Sequence, residues 1–206
     1  MGDSPASIAE LEKALSEAPQ SRISPYLLGT ALRRAGRLER SADVLRTSLL
    51  LYPDDPKLAR ALALTLVGLS RPLSEPLAVL RLAALEGHRD ADFVCLYGGL
   101  LSMERQVDDA NEVFKRARDT EWSIQILNRV GFTPTKKGGG EIWLRGRVAQ
   151  LGPGYCFISV SGYPDFFCPG SNYGDLRPAV DAAVELRPGF TVRGPVGIAL
   201  RSPRSS

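Results

Sequence analysis

The sequence predicts an α + β, two-domain protein: an N-terminal solenoid of paired helices followed by a small five-stranded β-barrel. Three observations predict it. A helical pattern returns about every 34 residues, a Gly/Pro-rich stretch follows it, and beyond that stretch the apolar period changes from helical to alternating. The boundaries fall at residues 1–132 for the helical part, 133–140 for the linker and 141–206 for the barrel. The chain has 206 residues, 44% of them hydrophobic and 24% charged, which is ordinary globular composition and enough for a core in each part.

The repeat is clearest between Pro25 and Pro53. Leu28, Gly29 and Leu32 mark a first helix, Gly36 a turn, and Ser41, Leu45 and Ser48 a second helix closed by Pro53. Leu11, Ala14 and Pro19 occupy the second-helix places one period earlier, so the array opens mid-repeat near Ser7. Downstream, Leu62, Ala63 and Leu66 repeat the first helix, and Pro76, Leu80 and Ala83 the second, after one extra residue in the turn near Ser70-Arg71-Pro72. Tyr97, Gly98 and Leu101 open a third unit that Ala110, Phe114 and Ala117 complete. Small residues at Gly29, Ala63 and Gly98 let paired helices approach closely while Leu or Phe fills the groove. Glu121 to Val130, with Trp122, Ile124, Ile126 and Leu127, is expected to cap the stack before Gly131 ends it.

Over about residues 7 to 118 this pattern resembles the tetratricopeptide repeat family, and the third unit fits it best. The resemblance implies a concave surface that binds a protein or peptide. Its candidate contacts are first-helix residues not needed for packing: Tyr26, Thr30, Arg33, Arg34, Lys57 and Arg60. Such a cluster of cations suits an acidic or phosphorylated partner, or is simply a solvated face.

Little in the composition favours catalysis. His88 is the one histidine, at a helix end, whereas hydrolytic triads and most catalytic metal sites lean on imidazole. Cys95, Cys156 and Cys168 are an odd count at spacings of no metal or redox motif and read as buried thiols. Asp54-Asp55 and Asp108-Asp109 read as helix starts, and Gly170-Ser171 and Gly197 form no phosphate loop. No catalytic residue, metal or cofactor is expected. The acidic start of the chain lacks the pattern of a secretory signal and no apolar run is long enough to span a membrane, so a cytoplasmic protein is expected. An array that opens mid-repeat also leaves room for a fragment, or for a subunit of a larger assembly whose chemistry lies on another chain.

Charge divides unevenly. Residues 1 to 133 carry 17 Lys+Arg against 18 Asp+Glu, whereas residues 134 to 206 carry 9 against 5, so the basic excess lies at the C-terminal end. The stretch Thr133 to Gly140, with Pro134, two lysines and three glycines, reads as a flexible linker. Beyond it strands are expected near Ile142 to Leu151, Tyr155 to Val160, Asp165 to Cys168, Ala183 to Arg187 and Gly197 to Arg201, although Val180 to Leu186 could also form a helical turn. Alternation puts Cys156, Ile158 and Val160 on one face with Phe166 and Cys168, and Tyr155, Phe157 and Ser159 on the other with Phe167. If the Cys, Ile and Val face is interior, three rings stand together outside a basic barrel. That is a stacking platform for unpaired bases.

These segments resemble the cold-shock domain, the nucleic-acid-binding form of the five-stranded OB-fold. Gly154-Tyr155-Cys156-Phe157-Ile158 stands where that family has Gly-Phe-Gly-Phe-Ile, and Asp165-Phe166-Phe167-Cys168 where it has Asp-Val-Phe-Val. Gly146-Arg147-Val148 matches the first strand, and Arg193-Gly194-Pro195 matches the Lys-Gly-Pro before the last. The resemblance spans about residues 142 to 203 and implies binding of single-stranded RNA or DNA through Tyr155, Phe157 and Phe167; Arg147, Arg187 and Arg193 are the cations expected to add salt-dependent affinity. The chain departs from the pattern at Ala149-Gln150-Leu151, Pro153 and Pro169-Gly170, where the family has Lys-Trp-Phe, Lys and His-Phe. Two functions follow from the whole. One is an adaptor holding a protein in its helical groove and single-stranded nucleic acid, RNA first, on its barrel. The other is a protein-only assembly subunit whose aromatic face packs against protein.

Overall fold

The computed structural model describes residues 5–136 and 139–204, and among them forms nine helices and a closed barrel of five strands. Lys137 and Gly138 of the expected linker lie outside the described residues. The helices are α1 (Pro5–Glu17), α2 (Ile23–Arg34), α3 (Leu38–Leu51), α4 (Pro56–Gly68), α5 (Ser74–Leu82), α6 (Ala84–Gly87), α7 (Ala91–Met103), α8 (Val107–Arg118) and α9 (Ile124–Asn128). The chain divides into two compact units, Met1–Phe93 and Val94–Ser206.

In the first unit the packing follows the small-residue rule. A Cβ on Gly29 of α2 would lie 2.6 to 2.9 Å from the side chain of Leu45 in α3, so only glycine admits that leucine, which is fully buried. The Ser41 hydroxyl donates to the carbonyl of Gly29 (2.7 Å) and lies 3.1 Å from the Thr65 hydroxyl, tying α2, α3 and α4 through one buried polar contact. α4 starts cleanly: the Asp55 carboxylate accepts from the backbone N–H groups of Lys57 and Leu58, and Pro56 fills the first helical position, where no N–H is needed.

The turn inside each helix pair repeats in its backbone as well as its sequence. Gly36, Ser70 and Arg105 follow α2, α4 and α7 with φ of 76°, 55° and 58°, each in the left-handed region that ends a helix. In every case the next residue donates to a carbonyl one turn back: Arg37 to Leu32, Arg71 to Leu66 and Gln106 to Leu101. Only the first of the three is glycine, so the other two turns hold a strained conformation for the sake of the repeat geometry.

The second unit holds α7 from Val94 onward, α8, α9 and the barrel. A Cβ on Gly98 of α7 would overlap the ring of Phe114 in α8, and Ser102 closes the same contact by donating to the Gly98 carbonyl (2.7 Å). Gly99, one residue on, faces Phe132 and Phe190 instead. Those rings stack at 5.9 Å, and the backbone of Phe132 bridges Phe190, so the third pair is built onto the barrel. The compact units divide at Phe93/Val94, inside α7, whereas the period of the sequence changes near residue 133. A second tie joins the turn after α7, where the Arg105 guanidinium donates to the Ser161 carbonyl (2.6 Å) and sits over the Tyr163 ring. The expected cap from Glu121 to Val130 is shorter than its apolar pattern suggested. Only α9 is helical there, and Gly131 and Phe132 already hydrogen-bond to Phe190.

The strands are β1 (Leu144–Gly152), β2 (Tyr155–Ser159), β3 (Phe166–Pro169), β4 (Ala183–Thr191) and β5 (Gly194–Arg201), closed in the order β1-β2-β3-β5-β4. β3 and β5 run parallel and the other pairs antiparallel. The interior takes the face expected of it: Val148, Cys156, Ile158, Phe166, Cys168, Leu186 and Phe190 are all fully buried. Cys95, Cys156 and Cys168 are buried and form no disulfide, and burial pushes the Cys168 thiol up to about 12. β4 and β5 are longer than read. Pro188 sits at a register shift in β4, where a missing N–H is tolerated, and the strand continues past Arg187 to Thr191.

Candidate nucleic-acid interface

The outward face of β2 and β3 is set by the interior. Because Cys156, Ile158, Phe166 and Cys168 must point in, Tyr155, Phe157 and Phe167 must point out, and the register places Phe157 directly opposite Phe167. The three rings touch one another, with centroids 5.7 to 5.9 Å apart and Phe157 edge-on to both neighbours. They are not covered: Phe167 is 39% exposed and the other two are half-buried.

The rings do not play equal parts. A Cβ on Gly152 of β1 would overlap the Tyr155 ring, so Tyr155 lies flat over that glycine and props the other two. Phe157 and Phe167 line a cavity of about 650 Å³ together with Pro169, Pro195 and Val196 from the barrel and Arg118, Leu127 and Asn128 from the helical segment of the same unit. That volume lies within the range of small-molecule sites, about 300–1,000 Å³.

Two guanidiniums stand at the cavity wall. Arg118 ends α8, where the negative end of the helix dipole favours a cation. Arg193 occupies the β4–β5 turn, which the Thr191 hydroxyl braces by accepting from the Arg193 N–H (3.1 Å) and donating to the Gly194 carbonyl (3.2 Å). The turn closes through Gly194 at φ 130°, a conformation reserved for glycine. Both side chains are exposed, and neither guanidinium has an ion-pair or hydrogen-bond partner among the described residues.

The other two expected cations are placed differently. Arg147 lies on the ring face of β1 opposite Ser159, with one nitrogen donating to the Asp181 carbonyl (3.0 Å). Arg187 lies on β4, which neighbours β1 and β5 and neither ring-bearing strand, and it is paired with Glu141 at 2.8 Å. The structure therefore does not bring Arg187 to the rings. Arg145 and Arg201 likewise flank Glu185, and the Arg201 hydrogen bond holds that carboxyl below its ordinary range.

Of the six residues expected to bind protein, four hold contacts within the chain. Tyr26 packs against the core cluster of Ala42, Leu45, Leu58 and Leu62. Arg60, 17% exposed, is held by Asp92 at 2.6 Å, a contact to the next repeat that residue-by-residue reading does not reveal. Arg33 and Arg34 also hold interactions within the chain. Thr30 is half-buried and Lys57 exposed. Among the described residues no cluster of His, Cys, Asp and Glu could hold a metal ion, and no helix is long and apolar enough to cross a membrane.

No protein-family model and no curated protein matches the chain. Solved structures do. A tetratricopeptide repeat protein from Parabacteroides merdae is similar at 17% identity with a TM-score of 0.48, over 57% of this chain and 47% of that one. MamA from Desulfovibrio magneticus RS-1, residues 41 to the end, is similar at 20% identity with a TM-score of 0.45, over 54% of this chain and 63% of that one. The chain thus spans under two thirds of the length of the structures it resembles.

Proposed function

We propose that the protein is a non-enzymatic adaptor that binds single-stranded nucleic acid, RNA first, on the barrel of its second unit and a protein through its helical repeats. One observation carries the first half: an open cavity lined by two aromatic rings and by two arginines without an ion-pair or hydrogen-bond partner for their guanidiniums among the described residues. Every base has a π-face, so ring stacking tolerates any sequence, and a guanidinium alongside meets the phosphate that each base brings. The cold-shock resemblance supports this reading, because it assigns bases to the same two strands. The helical half rests on the tetratricopeptide resemblance, with Tyr26, Thr30, Arg33, Arg34, Lys57 and Arg60 all exposed or partly so on first helices.

The test is a titration of a fluorescent ten-nucleotide oligouridine at several salt concentrations. Two neutralised phosphates give a slope of log K against log [salt] of about −1.4 for a single strand. Arg118→Gln and Arg193→Gln should each flatten that slope by about 0.7. A slope unchanged in the double variant removes the arginines from the site. Failure of the wild type to bind the oligonucleotide at low salt, with capture of an apolar peptide instead, favours the protein-only assembly subunit.

A further inference from the structure

The aromatic cavity is not the end of the groove. A second cavity of about 260 Å³ is lined by Ala117, Thr120, Trp122 and Val192, and it shares Arg118, Leu127 and Arg193 with the first. Arg118 and Arg193 are therefore common walls, with Phe157 and Phe167 lining one cavity and Trp122 the other. Trp122 is fixed in place, its indole N–H donating to the Ala117 carbonyl at the end of α8 (2.7 Å), and its ring is only partly buried. A ring held by its one polar atom presents a stacking face without losing rotamer entropy on binding.

We propose that Trp122 is a second base-stacking site and that the two cavities form one path for a single strand. One base lies against Phe157 and Phe167, the following phosphate meets Arg118 and Arg193, and the next base lies against Trp122. The alternation of aromatic, cationic and aromatic surfaces matches the base–phosphate–base order of a dinucleotide. Charge complementarity at the shared wall selects this occupant over an uncharged apolar peptide. The inference rests on the nucleic-acid reading of the barrel and adds to it that the helical segment supplies part of the site. The minimal ligand is then a dinucleotide and not a single base.

The experiment measures competition of the labelled ten-nucleotide oligouridine by uridine monophosphate and by the dinucleotide UpU, for the wild type, Trp122→Leu, Trp122→Phe and Phe157→Ala. UpU should compete at least tenfold better than the mononucleotide in the wild type and in Trp122→Phe, and this advantage should fall below threefold in Trp122→Leu. In addition, Trp122 emission in the folded Trp143→Phe protein should be quenched by UpU, a readout that does not depend on how Trp122→Leu folds. If Trp122→Leu keeps the dinucleotide advantage and no quenching is seen while Phe157→Ala loses binding, the path stops at the rings and only this inference fails. If Phe157→Ala binds like the wild type, the reading of the barrel fails with it.

Discussion

Phe157→Ala should weaken binding of the ten-nucleotide oligouridine about tenfold, and Phe157→Ala with Phe167→Ala about 100-fold. Base–aromatic stacking is worth about 1–3 kcal/mol per base by alanine substitution, and a tenfold change in affinity is about 1.4 kcal/mol. Tyr155→Ala should cost less than either, because that ring lies over Gly152 and props the platform without lining the cavity. Folding should survive all three changes. The rings face outward, and the cross-strand aromatic pair they form is worth about 0.2–1 kcal/mol, whereas the inward neighbour Phe166 is fully buried. Fluorescence anisotropy gives the affinities and thermal melts give the stabilities. Equal binding by the wild type and the double variant would remove the platform.

The largest effect on stability is expected at Phe114. Its ring fills the space left by Gly98 and is 2% exposed, so Phe114→Ala should destabilise the second unit by about 3–5 kcal/mol. That is a large share of a domain's usual margin, about 5–15 kcal/mol. Gly98→Ala should also destabilise, by about 1–3 kcal/mol, although alanine is the better helix former, because its Cβ would overlap the Phe114 ring. In the double variant Gly98→Ala, Phe114→Leu the cost of the new methyl should shrink, since its obstacle has been removed. Urea denaturation of the four proteins of this cycle measures the coupling. Additive costs would mean that the glycine and the phenylalanine do not share a contact.

How much of this was legible in the residues follows from where each signal lives. The helix pairs were legible because the same small and large residues return in register, and Gly29 against Leu45 and Gly98 against Phe114 are direct consequences. The outward direction of Phe157 and Phe167 was equally legible, since strand alternation leaves no other place for them once Cys156 and Ile158 are inside. The opposite wall of the cavity was not. Arg118, Trp122 and Leu127 all come well before the first barrel strand, which starts at Leu144, and the apolar run around α9 reads as an ordinary cap. What places them is the packing of Phe132 on Gly99 and Phe190, a contact between elements that no local period announces. The same holds for Arg60, which reads as a free cation until Asp92 is found beside it, and for Arg187 beside Glu141. Thr120 and Trp122, directly after the cations that end α8, were the one available hint that a helix end could be part of a site.

Photo-crosslinking locates the bases directly. An oligouridine carrying 4-thiouridine is irradiated with the intact protein, and the joined peptides are mapped by mass spectrometry. The expected crosslinks fall on Phe157 and Phe167, the two outward rings of β2 and β3. Crosslinks confined to the first unit, or to the basic face around Arg187 and Arg201, would contradict the claim that this face of the barrel receives unpaired bases.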